Sequence, residues 1–277
     1  MMKKIVLLLL LFSCIPVNSQ EIGEFENYFE GRFNYCETTD SVMFKQYSYA
    51  RLLLSMTPHN DTVRLKKLSD IFFSHYQTDT TFCDAAFFTG YTLRLSKQYK
   101  ESIVFYYLAD SLAQNKSLLF KFTLATAFLE AGAVDFSRKK FEEMVKHFPT
   151  SPEGYFGIAN TAVILGDYKN GIAAVNDAIR WCNRRKLKEI DEAYLLKGML
   201  YTFDGRYSEG REFLEMAEAY KEDDLYYIYY SLNLLWDSQA AEDEELKKEA
   251  KRYYKKIKHK SNIPAHIKQE FGTFNKA

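Results

Sequence analysis

The stretch Pro152–Ile179, PEGYFGIANTAVILGDYKNGIAAVNDAI, decides the fold. Its first half has helical apolar spacing and stops at Gly166, the residue type that most readily takes the left-handed conformation at a helix end. Asp167 follows as a candidate N-cap. Ile172, Val175 and Ile179 then fall at i, i+3 and i+7, on one face of a second helix. The unit is two helices joined by a tight turn.

Outward from this stretch the unit recurs. Blocks aligned from Cys83, Leu118, Pro152 and Asp191 carry a small residue at position eight (Gly90, Ala125, Ala159, Gly198) and at position twenty (Ser102, Ser137, Gly171, Gly210). Position seventeen is Tyr99, Val134, Tyr168 and Tyr207, and position twenty-seven is Ala109, Met144, Ala178 and Ala217. Three blocks hold a glycine at position fifteen: Gly132, Gly166 and Gly205. A fixed period of this length marks tandem supersecondary units. The small residues have a steric reason, because a larger side chain where two helices cross closely would push their backbones apart. The residue at seventeen is expected to fill the wedge beneath the turn. Block starts are 35, 34 and 39 residues apart, so extra residues around Trp181 to Ile190 are expected to extend a helix.

This pattern resembles the tetratricopeptide repeat family over about half the chain. Tyr155, Ala159, Gly166, Asp167, Tyr168, Gly171 and Ala178 are in register with its motif. The chain departs from it in places. The proline near position thirty-two is present only as Pro149, Met144 replaces a small residue, and Lys121 replaces an aromatic at position four. The resemblance implies an all-α fold, a right-handed superhelical solenoid of antiparallel helix hairpins. Four repeats are expected at 83–117, 118–151, 152–190 and 191–223. A lead-in with a degenerate or capping helical pair occupies 20–82, and a degenerate repeat with C-terminal capping helices occupies 224–277.

In that family, positions two, five, nine, twelve and thirteen of each first helix line a concave groove. Carried over, position five is Phe87, Phe122, Phe156 and Leu195; position nine is Tyr91, Thr126, Asn160 and Met199; position twelve is Arg94, Leu129, Val163 and Thr202. Family members that clamp acidic tails use lysine and asparagine there, whereas this ladder is aromatic and aliphatic. The resemblance therefore implies a non-enzymatic scaffold that takes an apolar partner segment, with Phe87, Phe122 and Phe156 as anchors. The competing reading places these phenylalanines in the core beneath a neighbouring repeat.

Residues 1–19 read as a signal peptide. Lys3 and Lys4 precede an apolar run, Ile5 to Phe12, too short to span a bilayer, and Val17-Asn18-Ser19 reads as a cleavage site. A lipobox ending at Cys14, which would make a lipid anchor, is the alternative. Either reading sends the chain out of the cytoplasm, to the periplasm or cell envelope of a bacterium. Lysine plus arginine equals aspartate plus glutamate at 37 each, which gives no electrostatic argument for nucleic acid. Past the leader stand Cys36, Cys83 and Cys182, an odd number that argues against a disulfide framework, although Cys36 and Cys83 are free to pair in an oxidising compartment. The 21 tyrosines and 22 phenylalanines are an aromatic load that paired helices use as filling, or that an exposed binding surface displays.

No nucleotide-binding, metalloprotease or nucleophile-elbow motif occurs, and the five histidines lack metal-ligand spacing. No catalytic residue, metal ligand or cofactor is predicted. Asp40-Ser41, Asp61-Thr62, Asp79-Thr80 and Asp110-Ser111 read either as helix caps or as acceptors for O-glycosylation. Upstream, Thr39 to Ser55 and Asp61 to Tyr76 read as a helical pair, and Thr81 with Asp84 as a capping box. Downstream, helices are expected at Asp224 to Trp236, Ala241 to Lys258 and His266 to Phe271. The acidic start and basic end of the second match its dipole. Its lysines (Lys255, Lys256, Lys258, Lys260) also read as a patch for anionic lipid or an envelope polymer, the alternative to a protein-binding groove.

Overall fold

The computed structural model describes residues 27–31, 33–38 and 40–274. The expected signal peptide, with Cys14, lies outside them. Residues 27–29 are helical, twelve α-helices follow one another between Ser41 and Lys256, and no strand occurs among the described residues. They are α1 (Ser41–Ser55), α2 (Thr62–Thr78), α3 (Cys83–Leu95), α4 (Tyr99–Leu112), α5 (Leu118–Glu130), α6 (Val134–His147), α7 (Pro152–Leu165), α8 (Tyr168–Arg185), α9 (Ile190–Phe203), α10 (Tyr207–Met216), α11 (Asp224–Ala241) and α12 (Glu244–Lys256). Each odd-numbered helix pairs with the next, and α2 packs on α3, α4 on α5, α8 on α9 and α10 on α11. Contacts divide the chain into two compact units, one ending at Phe148 and the other beginning at Pro149. No helix among the described residues is long and apolar enough to cross a membrane.

The small-residue rule has its cause in the hairpin crossings. A Cβ on Gly198 would stand 2.6 Å from Leu214 Cγ and 2.8 Å from the carbonyl of Gly210, which joins positions eight and twenty of one hairpin. Position fifteen has a backbone cause. Gly132, Gly166 and Gly205 have φ of 80°, 74° and 79°, and Lys97 holds the same left-handed place at 63° in the block that lacks a glycine. The extra residues of the third block lengthen α8 to 18 residues, and Lys186 ends it in the left-handed conformation.

Several local expectations are corrected. Asp167 stands at the N-cap of α8, but its carboxylate accepts from Asn170 Nδ2 at 2.9 Å rather than capping a backbone N–H. The Thr81–Asp84 box does not form, since Phe82 is the N-cap of α3 and Asp84 is engaged elsewhere. Tyr99 is exposed rather than wedged beneath its turn, whereas Tyr168 stacks on Phe203 at 5.8 Å. Near the C-terminus the acidic run does not open a helix at Ala241. Instead α11 continues to Ala241, Glu242 turns left-handed, and the Asp243 side chain caps α12 by accepting from Glu245 and Leu246 N–H. The last element is a 3-10 turn at Glu270–Phe274. Asp40 and Asp61 cap α1 and α2, and Asp79 accepts from Thr81, so three of the four Asp-Ser/Thr stretches hold local turns.

Candidate partner-binding site

The first helices of the four repeat hairpins, α3, α5, α7 and α9, are mostly buried, and this decides where the groove residues go. Phe87, Phe156, Leu195, Met199 and Leu129 are core residues, exposed by 1% or less. Thr126, Asn160 and Thr202 are buried as well. Only Tyr91, Arg94, Phe122 and Val163 keep partial exposure. Phe87 and Phe156 are therefore closed to solvent in this structure. Arg94 is closed by an ion pair with Glu130, its Nε 2.7 Å from Oε2. Lys121, which replaced the aromatic at position four, is buried with Nζ 3.1 and 3.2 Å from the carboxylate oxygens of Asp110.

What covers Phe87 is the lead-in. Tyr28 contacts the rings of Phe87, Phe88 and Phe120 at 5.5 to 5.8 Å, Phe29 reaches Phe87, Phe88 and Tyr91, and Tyr35 meets Phe120 edge-on at 4.9 Å. Residues 33–36 then run without helix across the start of α3. Asp84, at position two of the first block, accepts the backbone N–H of Tyr35 at 3.1 Å and of Cys36 at 2.8 Å. From α1, Arg51 Nη1 donates to Asn34 Oδ1 at 2.7 Å and reaches the Phe33 carbonyl at 3.5 Å. Its guanidinium carbon lies 4.8 Å from the ring centroids of both Tyr28 and Phe88. Cys36 and Cys83 form a disulfide with their Cα atoms 5.7 Å apart.

The electrostatics follow from burial. Asp84 is fully buried, which raises its carboxyl pKa, while the two backbone N–H groups and Arg51 pull the other way. Asp84, Cys36 and Cys83 also make up the group of potential metal-ligating atoms that lie within 4.8 Å of one another, but the disulfide takes both sulfurs. In the other unit, Cys182 is buried and its thiol is pushed up to about 12, by burial first and then by Glu189, Glu153 and Glu192. Burial, then Glu189, raises Glu192 to about 8. Neither place aligns a nucleophile with a base.

Two surface features remain. A cleft of about 450 Å³ between α1 and α2 is lined by Tyr49, Leu53, Ile71 and His75, beside exposed Leu52 and Met56. In the C-terminal basic segment Lys255 and Lys258 are exposed, but Lys256 lies over Tyr227 and Tyr253, and Lys260 over Tyr254.

No protein-family model matches the sequence, and no curated protein matches it. Solved structures do. The Cut9 structure of the APC/C Cut9–Hcn1 hetero-tetramer superposes at a TM-score of 0.59 and 13% identity, over 84% of this chain and 42% of the other. The C-terminal part of a tetratricopeptide-repeat protein from Cytophaga hutchinsonii gives 0.58 and 14%, over 83% and 85%. YrrB, described as a tetratricopeptide-repeat protein with an unusual peptide-binding site, gives 0.53 and 14%, over 65% and 87%. The chain has the tetratricopeptide-repeat fold. The residues that engage the lead-in are only partly signalled in the sequence. Arg51, Asp84, Phe88 and Phe120 were missed as contact residues, and only Asp84, by its place at position two, carried a signal.

Proposed function

We propose that this chain is a non-enzymatic protein-interaction scaffold of the bacterial periplasm or cell envelope, and that its repeat helices take an apolar, aromatic-bearing segment of a partner protein. One observation carries the reading: the α3–α5 face, with Arg51 of α1 beside it, already holds such a segment. The main chain of residues 33–36 is engaged by a carboxylate and a guanidinium, Tyr35 packs on Phe120, and Tyr28 just upstream packs on Phe87, Phe88 and Phe120. Side chains that grip backbone give affinity, and adjoining ring contacts give selectivity, the usual division of labour in peptide recognition. The Cys36–Cys83 pair supports an exported location, since such bonds persist in oxidising compartments. The leader reading of residues 1–19 agrees with it.

The test is a crosslinked pull-down of the mature chain from its own cell envelope, read by mass spectrometry. One or two stoichiometric proteins that survive high salt support the scaffold. Recovery of lipid or glycan alone, lost as salt rises, would move the assignment to the basic C-terminal segment.

A further inference from the structure

We propose that residues 28–31 and 33–36 are a tethered occupant of the α3–α5 face, latched by the Cys36–Cys83 disulfide. Reduction of that bond opens the face to an extended aromatic segment from another protein. This rests on the scaffold reading and states how the site is gated.

The argument begins with charge. A segment that belonged only to the core would be held by apolar contacts, because burying an ion costs more than a well-packed hydrophobe. Here two ionisable side chains, Arg51 at 4% exposure and Asp84 at 0%, sit beneath the segment. Asp84 accepts the backbone N–H groups of Tyr35 and Cys36, and Arg51 donates to the Phe33 carbonyl and to Asn34 Oδ1. Both side chains are stable in water, so they hold the segment while it is present and are solvated without penalty when it leaves. Between them Phe87, Phe88 and Phe120 supply a ring platform. The surface thus reads main chain by charge and side chains by aromatic contact. Its ligand class follows from the occupant: a short segment whose gripped part, residues 33–36, is non-helical, with aromatic residues spaced as Tyr28, Phe33 and Tyr35 are.

The latch is the second element. Its bond joins the segment directly to the first residue of α3, one position before Asp84. While it is closed, the segment faces its site at an effective concentration no free partner matches. Cys83 is fully buried and Cys36 is partly exposed, so a dithiol reductant has access at Cys36 Sγ. Its thiolate attacks there, the S–S bond breaks, and Cys83 leaves as a thiolate and takes a proton. The reductant's second thiol then displaces Cys36 from the mixed disulfide. Two electrons and two protons pass to the chain, which ends with two thiols, while the reductant ends as a disulfide.

The experiment uses the full mature chain, oxidised or treated with a dithiol. The probe is a fluorescent synthetic peptide of residues 27–38 carrying Cys36→Ser. Hydrogen exchange is followed in parallel. Reduction should speed exchange at residues 33–36 at least tenfold while α3 and α5 stay protected, and should tighten peptide binding at least tenfold. Asp84→Asn in the reduced chain should weaken that binding. Unchanged protection of residues 33–36 on reduction overturns the latch without touching the scaffold reading. Loss of protection in α3 and α5 together with the segment shows it to be core, and overturns the proposal. Release of the segment without any peptide binding overturns the proposal and with it the peptide-binding part of the scaffold reading.

Discussion

Lys97 shows how a single residue departs from the repeat and what that costs. Its φ of 63° is the left-handed conformation that Gly132, Gly166 and Gly205 hold in the other blocks. A β-carbon there costs about 1 kcal/mol. Lys97→Gly should therefore raise the denaturation midpoint by the equivalent of about 1 kcal/mol, and Gly132→Ala should lower it by a similar amount. Glu192 gives a pH signature. Burial raises its carboxyl from 4.5 to about 8, so the folded chain binds this proton more tightly than the unfolded one. Its contribution is full below the unfolded value and is lost as pH rises toward 8. Wild type should fall relative to Glu192→Gln across that window, by about 5 kcal/mol at most, in urea unfolding measured at several pH values. The glycine rule was legible in the sequence because φ preference is a property of one residue. The Glu192 shift was not, since burial depends on what packs above it.

At the scale of elements, α4 and α5 meet through a buried ion pair where the motif has an aromatic. Lys121 and Asp110 have side chains only 3% and 8% exposed. Removing one partner strands the other charge, so Lys121→Met should cost about 3 kcal/mol in chemical denaturation. Adding Asp110→Leu should recover most of that loss, because two apolar groups replace the pair. The crossing of α9 and α10 makes a second test. Gly198→Val places carbon against Leu214 and the Gly210 carbonyl, and should lower stability by about 2–3 kcal/mol. Helix starts at positions one and seventeen were readable, since turn glycines and apolar spacing are local signals. The groove was not. Phe87 and Phe156 have the same helical spacing whether a neighbour covers them or water does, and only packing separates the cases.

At the scale of the whole molecule, two compact units carry different constraints. The disulfide, across a sequence separation of 47, lies within the unit that ends at Phe148. Its reduction should loosen residues 33–36 at the edge of that unit, while the amides of α3 and α5, and those of α9, α11 and α12 in the other unit, keep their protection. By itself the sequence determined the repeat, the helix pairs, the sites of small residues and the left-handed turns, because each follows from contacts within some thirty-five residues. Only the tertiary structure decided that the lead-in returns across 48 residues to lie on α3, that Cys36 meets Cys83, that Asp84 accepts its backbone N–H groups and that Arg51 donates to the Phe33 carbonyl and the Asn34 side chain. No periodicity marks such a return, since its stabilisation comes from surfaces that exist only once the helices have stacked.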